Sequence, residues 1–254
     1  MRQLFTDQMN RTIRLEGIPR RIVSLVPSQT ELLFDLGLEK EVLGITKFCI
    51  YPDAWFRSKT RVGGTKHIDI EKVKSLSPDL IIGNKEENYQ EGIERLSEKF
   101  PVWMSDIYTL EDAYRMILSL GELTDTSIIA NQIVSQIKDG LEKEFKLKGY
   151  AVYLIWKDPL IAVGTNTFID FMLEKAGFNN LINQSRYPEI DLKEIVKLNP
   201  EFLLLSSEPY PFKENHILFF QEKLPKTKIK IVDGEMFSWY GSRLLFTGKY
   251  FEGL

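Results

Sequence analysis

The chain has 254 residues, with 33 Lys and Arg against 36 Asp and Glu, so its formal charge is −3. That slightly acidic balance argues against a protein built to hold a nucleic-acid backbone, and no nucleic-acid partner is expected. With 43% hydrophobic and 27% charged residues, the chain has enough apolar side chains to offset its ordering entropy, which excludes disorder. A single cysteine, Cys49, rules out an intrachain disulfide and a thiolate zinc site. The first 21 residues include Arg2, Asp7, Arg11, Arg14, Glu16, Arg20 and Arg21 and hold no apolar run of signal-peptide length. No segment reaches the roughly 18–20 apolar residues of a membrane span.

In chain order, Ile22 to Val26 is a short β-branched run stopped by Pro27 and reads as a buried strand. Ser28-Gln-Thr-Glu31 matches a capping box for a helix carrying Leu32, Leu33 and Leu36, with Gly37 at its C-terminal side. Residues 41–48 read as a strand, Tyr51-Pro52 as a turn, and Asp69 as the cap of a helix through Leu76 that Pro78 stops. Residues 80–83 are the next strand, 86–100 a polar helix and 102–105 another strand. Strands alternating with helices in this way predict a parallel α/β sheet.

The middle of the chain is helical. Residues 110–124 and 127–148 carry apolar residues at helical spacing, and the second stretch predicts a helix of about twenty residues, roughly 30 Å long. Alternation resumes with strands at 151–156 and 161–164 and a helix over 166–175.

The chain also repeats itself. Asp69-Ile-Glu-Lys-Val-Lys-Ser-Leu-Ser-Pro-Asp-Leu-Ile-Ile82 is echoed by Asp191-Leu-Lys-Glu-Ile-Val-Lys-Leu-Asn-Pro-Glu-Phe-Leu-Leu204, an offset of 122 (191 against 69). Pro27-Ser-Gln-Thr30 is similarly echoed by Gly164-Thr-Asn-Thr167. The expected architecture is therefore two Rossmann-like parallel-sheet lobes, 1–125 and 149–254, joined by one long α-helix over 126–148. Ligands of such sheets sit beyond the carboxyl ends of the strands, so a ligand cleft between the lobes is expected. The joining helix resists bending, which predicts a small closure motion.

The chain resembles the vitamin B12 and iron-siderophore substrate-binding proteins of ABC importers, the helical-backbone class, from Arg21 onward. The resemblance is carried by Arg21-Ile-Val-Ser-Leu-Val-Pro-Ser-Gln-Thr-Glu-Leu32, Val62-Gly-Gly-Thr65, Leu76-Ser-Pro-Asp-Leu-Ile-Ile82 and Trp239-Tyr-Gly-Ser-Arg243. It is nearest to the cobalamin-binding branch. It implies a protein without catalysis or a required cofactor that takes up cobalamin, a ferric siderophore or haem and hands it to ABC permease subunits. It also implies a monomer at a periplasmic or cell-surface location; with no signal peptide in the sequence, a cytoplasmic one stays open.

The ligand candidates are residues just past the expected strand ends: Ser28, Gln29, Tyr51, Thr65, Lys66, Asn84 and Lys85, then Trp156, Thr165, Asn166, Tyr187, Trp239, Tyr240 and Arg243. Trp and Tyr offer flat apolar faces with a polar tip, suited to a corrin ring or a catecholate chelate, and Lys66 and Arg243 could meet its anionic groups. Trp156, inside an apolar run, reads equally well as core, whereas Trp239-Tyr240 lies among polar residues and is expected to be exposed. Asn84 departs from the family, standing where the cobalamin receptors have an aromatic residue.

The resemblance further implies that one exposed glutamate per lobe docks on the permease. The 122-residue offset pairs Glu86 with Glu208, which read otherwise as solvated loop carboxylates; Glu87, Glu91 and Glu214 lie close enough to serve instead. The two histidines, His67 and His216, read as surface residues rather than metal or haem ligands, because no other donors gather around them in sequence. No Walker, dinucleotide, nucleophile-elbow or zinc-protease motif is present, and Ser28 reads as an N-cap, not a nucleophile. Two other readings remain: an α/β enzyme on a small phosphorylated substrate, binding phosphate at the helix starts near Ser28 and Thr165, and a cytoplasmic corrinoid-handling protein.

Overall fold

A computed structural model describes residues 3–254. The chain divides into two units: one holds the residues up to Gln136 together with Tyr240–Arg243, the other Ile137–Trp239 and Leu244–Leu254.

The first unit opens with a hairpin, β1 (Gln3–Thr6) and β2 (Thr12–Leu15). There follow β3 (Ile22–Ser24), α1 (Pro27–Asp35), β4 (Val42–Ile45), α2 (Asp53–Ser58), β5 (Thr60–Arg61), α3 (Ile70–Ser75), β6 (Leu80–Asn84), α4 (Gln90–Ser97), β7 (Val102–Ser105), α5 (Leu110–Leu123) and the start of α6 (Ser127–Leu141). Strands β5-β4-β3-β6-β7 form one sheet, paired in parallel throughout. Every residue of β3, β6 and β7 is buried, as a parallel strand covered on both faces requires. On one face Val23, Ile81 and Val102 pack against Ile70 and Val73 of α3 and Ile93 and Leu96 of α4. The hairpin is tied to β7 through Asp7, whose buried carboxylate takes the Arg11 guanidinium at 2.7 Å and the Met104 N–H at 3.2 Å.

The second unit comprises β8 (Gly149–Trp156), β9 (Ile161–Ala162), α7 (Phe168–Lys175), β10 (Phe178–Asn180), α8 (Leu192–Leu198), β11 (Phe202–Ser206), α9 (Glu214–Lys223), β12 (Lys228–Val232), α10 (Glu235–Ser238) and α11 (Leu244–Glu252). Its sheet runs β10-β8-β11-β12, all parallel, with β9 antiparallel on β8. Val152, Leu154, Leu203 and Leu205 bury one face against Ile195 of α8 and Phe220 of α9.

The internal echo is structural. Asp69 accepts from the Lys72 N–H at the start of α3, and Asp191 from the Glu194 N–H at the start of α8, so each aspartate satisfies an orphan donor of its helix. Both helices are followed by a residue in the left-handed region, Ser77 (φ 43°) and Asn199 (φ 47°), again 122 apart. The strands that follow, β6 and β11, keep the same offset at both ends and each lies between two parallel neighbours.

Several local expectations are corrected. Ser28 is not an N-cap: Val26 holds that position without a side-chain bond, Pro27 opens α1, and Ser28 lies inside it. The helix expected over 86–100 begins only at Gln90, because the Asn84 carboxamide takes the N–H groups of Glu86 and Glu87 and holds the chain in a turn. In the second unit the helix expected from residue 166 begins at Phe168, with Thr167 capping α7 by accepting the Asp170 N–H. The joining helix is shorter than expected. It ends at Leu141 after 15 residues, about 22 Å at 1.5 Å per residue, because Phe145 packs edge-on against Phe251 and Lys148 bonds back to Gly177. The boundary between the units falls within it, after Gln136. His216 is buried rather than on the surface: its Nδ1 accepts the Lys213 N–H at 2.8 Å, so the ring proton sits on Nε2, facing the Tyr210 hydroxyl at 3.3 Å. It is a helix-start cap. His67 is exposed.

Helices α5 and α6 meet where Gly121 faces Ala130; a Cβ on Gly121 would come within 2.4 Å of the alanine Cβ. The start of α5 is a full capping box, in which Thr109 and Asp112 satisfy each other's backbone N–H groups and Asp112 also receives the Tyr108 N–H. Partial burial works against the Asp112 carboxylate, but the hydrogen bonds from Thr109 and Arg115 and the two backbone N–H groups outweigh it and hold its pKa below the ordinary value. The native state therefore binds this proton less readily than the unfolded chain. The carboxylate's contribution is present above the ordinary aspartate range and lost as pH falls through the depressed native value. Asp112→Ala is expected to cost about 0.5–2 kcal/mol in urea unfolding at pH 7, with the deficit shrinking on acidification; equal deficits at pH 7 and pH 2.5 would contradict this account.

Candidate functional site

The carboxyl edge of the first unit's sheet rests on a buried polar network. Asn84, at the end of β6, donates to the Ser105 Oγ at 2.9 Å while its Oδ1 takes the Glu86 and Glu87 N–H groups at 2.8 and 3.1 Å. Asn88 accepts the Asn84 N–H at 2.9 Å and donates to the carbonyls of Leu25 and Thr65 at 3.3 and 3.1 Å. Gln29 of α1 donates to Ser105 at 2.6 Å. One strand over, Thr30 donates to Ser24 at 2.7 Å, and Thr30 and Thr46 each lie 3.1 Å from the Cys49 sulfur. These amides and hydroxyls tie the ends of β3, β4, β6 and β7 together and fix the loops above them.

Those loops carry the more accessible candidates. Tyr51 follows β4 and is 39% exposed. Thr65 is half-buried, the exposed Lys66 ammonium donates to the Glu86 carbonyl at 2.5 Å, and Lys85 pairs with Asp106 at 2.6 Å. Tyr240–Arg243 lies against this edge although it is remote in sequence. The Tyr240 hydroxyl donates to the Glu87 carboxylate at 2.7 Å, and Ser242 bonds to Asp35 of α1. Arg243 grips Glu31 of α1 with two bonds, at 3.0 and 2.6 Å, and its guanidinium carbon lies 4.6 Å from the centroid of the Tyr51 ring. Burial pushes the Tyr240 hydroxyl well above its usual pKa and the Glu87 carboxylate adds to the shift, so it remains a proton donor. Burial also raises Glu31, against the opposing pull of the Arg243 guanidinium. Gly241 is required at this contact: a Cβ there would meet the Ser28 carbonyl oxygen at 2.5 Å.

At the carboxyl edge of the second unit's sheet, Trp156 ends β8 and is 38% exposed, with its ring 5.6 Å from that of Tyr210 in an edge-on pair. Thr165 bridges Ser185, Asn166 (φ 60°) donates to the Ser185 hydroxyl at 3.2 Å, and Arg186 donates to the Asn166 carbonyl at 2.8 Å while lying over the Tyr187 ring. Glu208 accepts from Ser238 Oγ at 2.8 Å and from the Trp239 indole N–H at 3.1 Å. Glu86 and Glu208 stand two residues beyond β6 and β11, and each offers its N–H to the last side chain of its strand, Asn84 at 2.8 Å and Ser206 at 3.4 Å.

The structure thus sorts the sequence candidates. Tyr51, Thr65, Lys66, Lys85, Tyr240 and Arg243 gather on one edge of the first unit, and Trp156, Thr165, Asn166 and Tyr187 lie along the second unit's sheet end and adjoining loops. Ser28, Gln29 and Asn84 are buried beneath the loops, and the Gln29 and Asn84 amide nitrogens donate to Ser105 of the scaffold. Trp239 and Tyr240 are buried rather than exposed, because each has a glutamate partner that draws its polar tip inward. Sequence reasoning missed Glu31 and Asp35, whose partners are more than two hundred residues away. Among the described residues no group of three or more His, Cys, Asp or Glu could hold a metal ion, and no helix is long and apolar enough to cross a membrane.

Residues 22–228 match the periplasmic binding protein family. An uncharacterized ABC transporter substrate-binding lipoprotein of Bacillus subtilis, YvrC, is 29% identical over 78% of this chain and 67% of its own length. A vitamin B12-binding protein of Vibrio campbellii is 22% identical over 75% of this chain and 72% of its own. Among solved structures, the periplasmic catecholate-siderophore binding protein VctP of Vibrio cholerae superposes with a TM-score of 0.82 over 100% of both chains, at 16% identity.

Two expectations follow from the geometry. Burial pushes the Cys49 thiol up to about 11, so it should resist a thiol reagent such as Ellman's at pH 8 in the folded protein and react fully in denaturant. Gly241→Ala should lower stability by roughly 1–3 kcal/mol, because the clash is with backbone and cannot be relieved by a side-chain rotation. A melting temperature equal to the wild type's would show that the segment is not seated as described.

Proposed function

The chain belongs to the periplasmic binding protein family, and from that premise we propose that it is the substrate-binding component of an ABC importer, capturing a corrinoid or a ferric-siderophore-type chelate and delivering it to the permease. The observation that carries this reading is the set of aromatic and hydrogen-bonding side chains at the carboxyl edges of its parallel sheets, with Tyr51 on one unit and Trp156 on the other. Rings with an apolar face suit the flat, polarizable surface of a corrin or a catecholate complex. The buried polar network beneath Tyr51 supplies the rigid support that a binding surface needs. The names of the relatives support the same class, since they are those of binding proteins. The ligand is cargo, held without covalent chemistry.

We place the protein outside the cytoplasmic membrane, as a monomer that meets its permease through Glu86 and Glu208. The support is their equivalent position and shared backbone setting two residues past matching strands. Both are half-buried rather than fully exposed as expected, and Glu208 also holds Ser238 and Trp239; carboxylates at a docking face set orientation and partner choice more than affinity. The substitutions Glu86→Gln and Glu208→Gln together, which remove the charge but keep a side-chain oxygen to accept from Ser238 and Trp239, should abolish stimulation of the permease while leaving ligand affinity within about twofold of wild type.

Titration of the purified protein with cyanocobalamin and, separately, with an iron(III) tris-catecholate, followed by calorimetry and tryptophan fluorescence, tests the capture role. Saturable one-to-one binding of either, micromolar or tighter, is expected, together with at least a tenfold loss in Tyr51→Ala. Absence of heat and of quenching with both ligands would overturn the assignment.

A further inference from the structure

Arg243 was expected to meet anionic groups of the ligand, but its surroundings give it different work. Glu31, on α1, takes the guanidinium through two hydrogen bonds, at 3.0 and 2.6 Å, from its Nε and one Nη. Both side chains are close to 85% buried, so neither charge is screened by bulk water as an exposed pair would be. The edge of the guanidinium plane is occupied by the carboxylate, and its central carbon stands over the Tyr51 ring, 4.6 Å from the centroid. A planar cation held bidentately at its edge is fixed in place, and a ring packed beneath it is backed in turn.

We propose that Glu31 is a positioning residue: acting through Arg243, it fixes the ring of Tyr51 at the carboxyl edge of the first unit's sheet, and Arg243 serves as the neutralised support of that ring rather than as an anion receptor. The proposal deepens the ligand-capture reading and, for its effect on affinity, rests on it. The geometry gives it direction. The Glu31 carboxylate stands on a helix whose start is anchored over β3 and whose Gln29 is tied to Ser105 of β7, so the reference frame for the Tyr51 ring is the sheet itself. Without the carboxylate, the guanidinium keeps its charge but loses its orientation, and the ring loses its backing.

The two roles for Arg243 predict opposite signs. If Glu31 positions, Glu31→Gln weakens binding of cyanocobalamin and of the anionic iron(III) tris-catecholate alike, about tenfold. If Glu31 merely masks an anion receptor, Glu31→Gln unmasks a cation and tightens the anionic probe. Glu31→Asp keeps the charge but shortens the reach, and serves if Glu31→Gln does not fold. Under the positioning role it also weakens both probes, whereas pure charge balance would leave it like wild type. A ligand-free readout accompanies these titrations: the rate of tetranitromethane nitration at Tyr51, followed by peptide mass spectrometry on the full chain. It should rise several-fold in both variants.

Unchanged nitration in a folded variant, or tighter binding of the anionic probe by Glu31→Gln, overturns the proposal. Failure of the wild type to bind either probe, combined with faster nitration in the variants, would remove the ligand reading while leaving the positioning role standing.

Discussion

A carboxamide buried at the end of a central strand needs partners for its polar atoms, since each unpaired donor or acceptor costs about 1–3 kcal/mol. Asn84 meets this constraint by serving as a hub: its donors go to Ser105 and its acceptor to two successive backbone N–H groups. Much of the first unit's functional edge follows from that choice. The turn at Glu86 and Glu87 exists because Asn84 holds it, Glu87 is thereby placed to receive Tyr240, and Lys66 finds the Glu86 carbonyl. An aromatic residue at this position could not cap the turn.

The two units express one plan with different chemistry. Setting aside β5 and β9, their sheets share a strand order, and the helix preceding each central strand starts on an aspartate and is followed by a left-handed residue. The strand ends then diverge. Asn84 is answered by Ser206, which receives the Tyr153 hydroxyl at 3.1 Å instead of capping a double turn. The duplicated scaffold keeps its backbone geometry because left-handed and capping positions tolerate few residues. The residues it presents at the strand ends are under no such restriction.

The division between what was legible in the sequence and what was not follows sequence separation. Asp69, Asp191 and the apolar runs of β6 and β11 act on neighbours within a few positions, so their roles are written locally and the echo between the units could be read directly. The signals that misled were also local but had competing uses. Phe145 continues a helical stripe yet packs on Phe251, and Ser28 opens a capping pattern whose place is already taken by Pro27 at the first helical position. The candidate site was half legible: residue types past strand ends could be read locally, and the structure gathers several of them on the loops above the sheet edges. Periodicity cannot say that Tyr240 and Trp239 turn inward, or that Glu31 belongs to Arg243, because those partners are set by the tertiary path of the chain.

That path has a consequence in time. The first unit contains Tyr240–Arg243, so the Ile137–Trp239 part of the second unit is synthesised before the first can be completed. At the usual 5–20 residues per second the wait is roughly 5–20 s. Throughout it Glu31, Asp35 and Glu87 lack the partners they have in the finished fold. A nascent chain with its acidic edge still open is held short of its native state until almost all of it has left the ribosome. A keystone set this late is a built-in delay in reaching the native state.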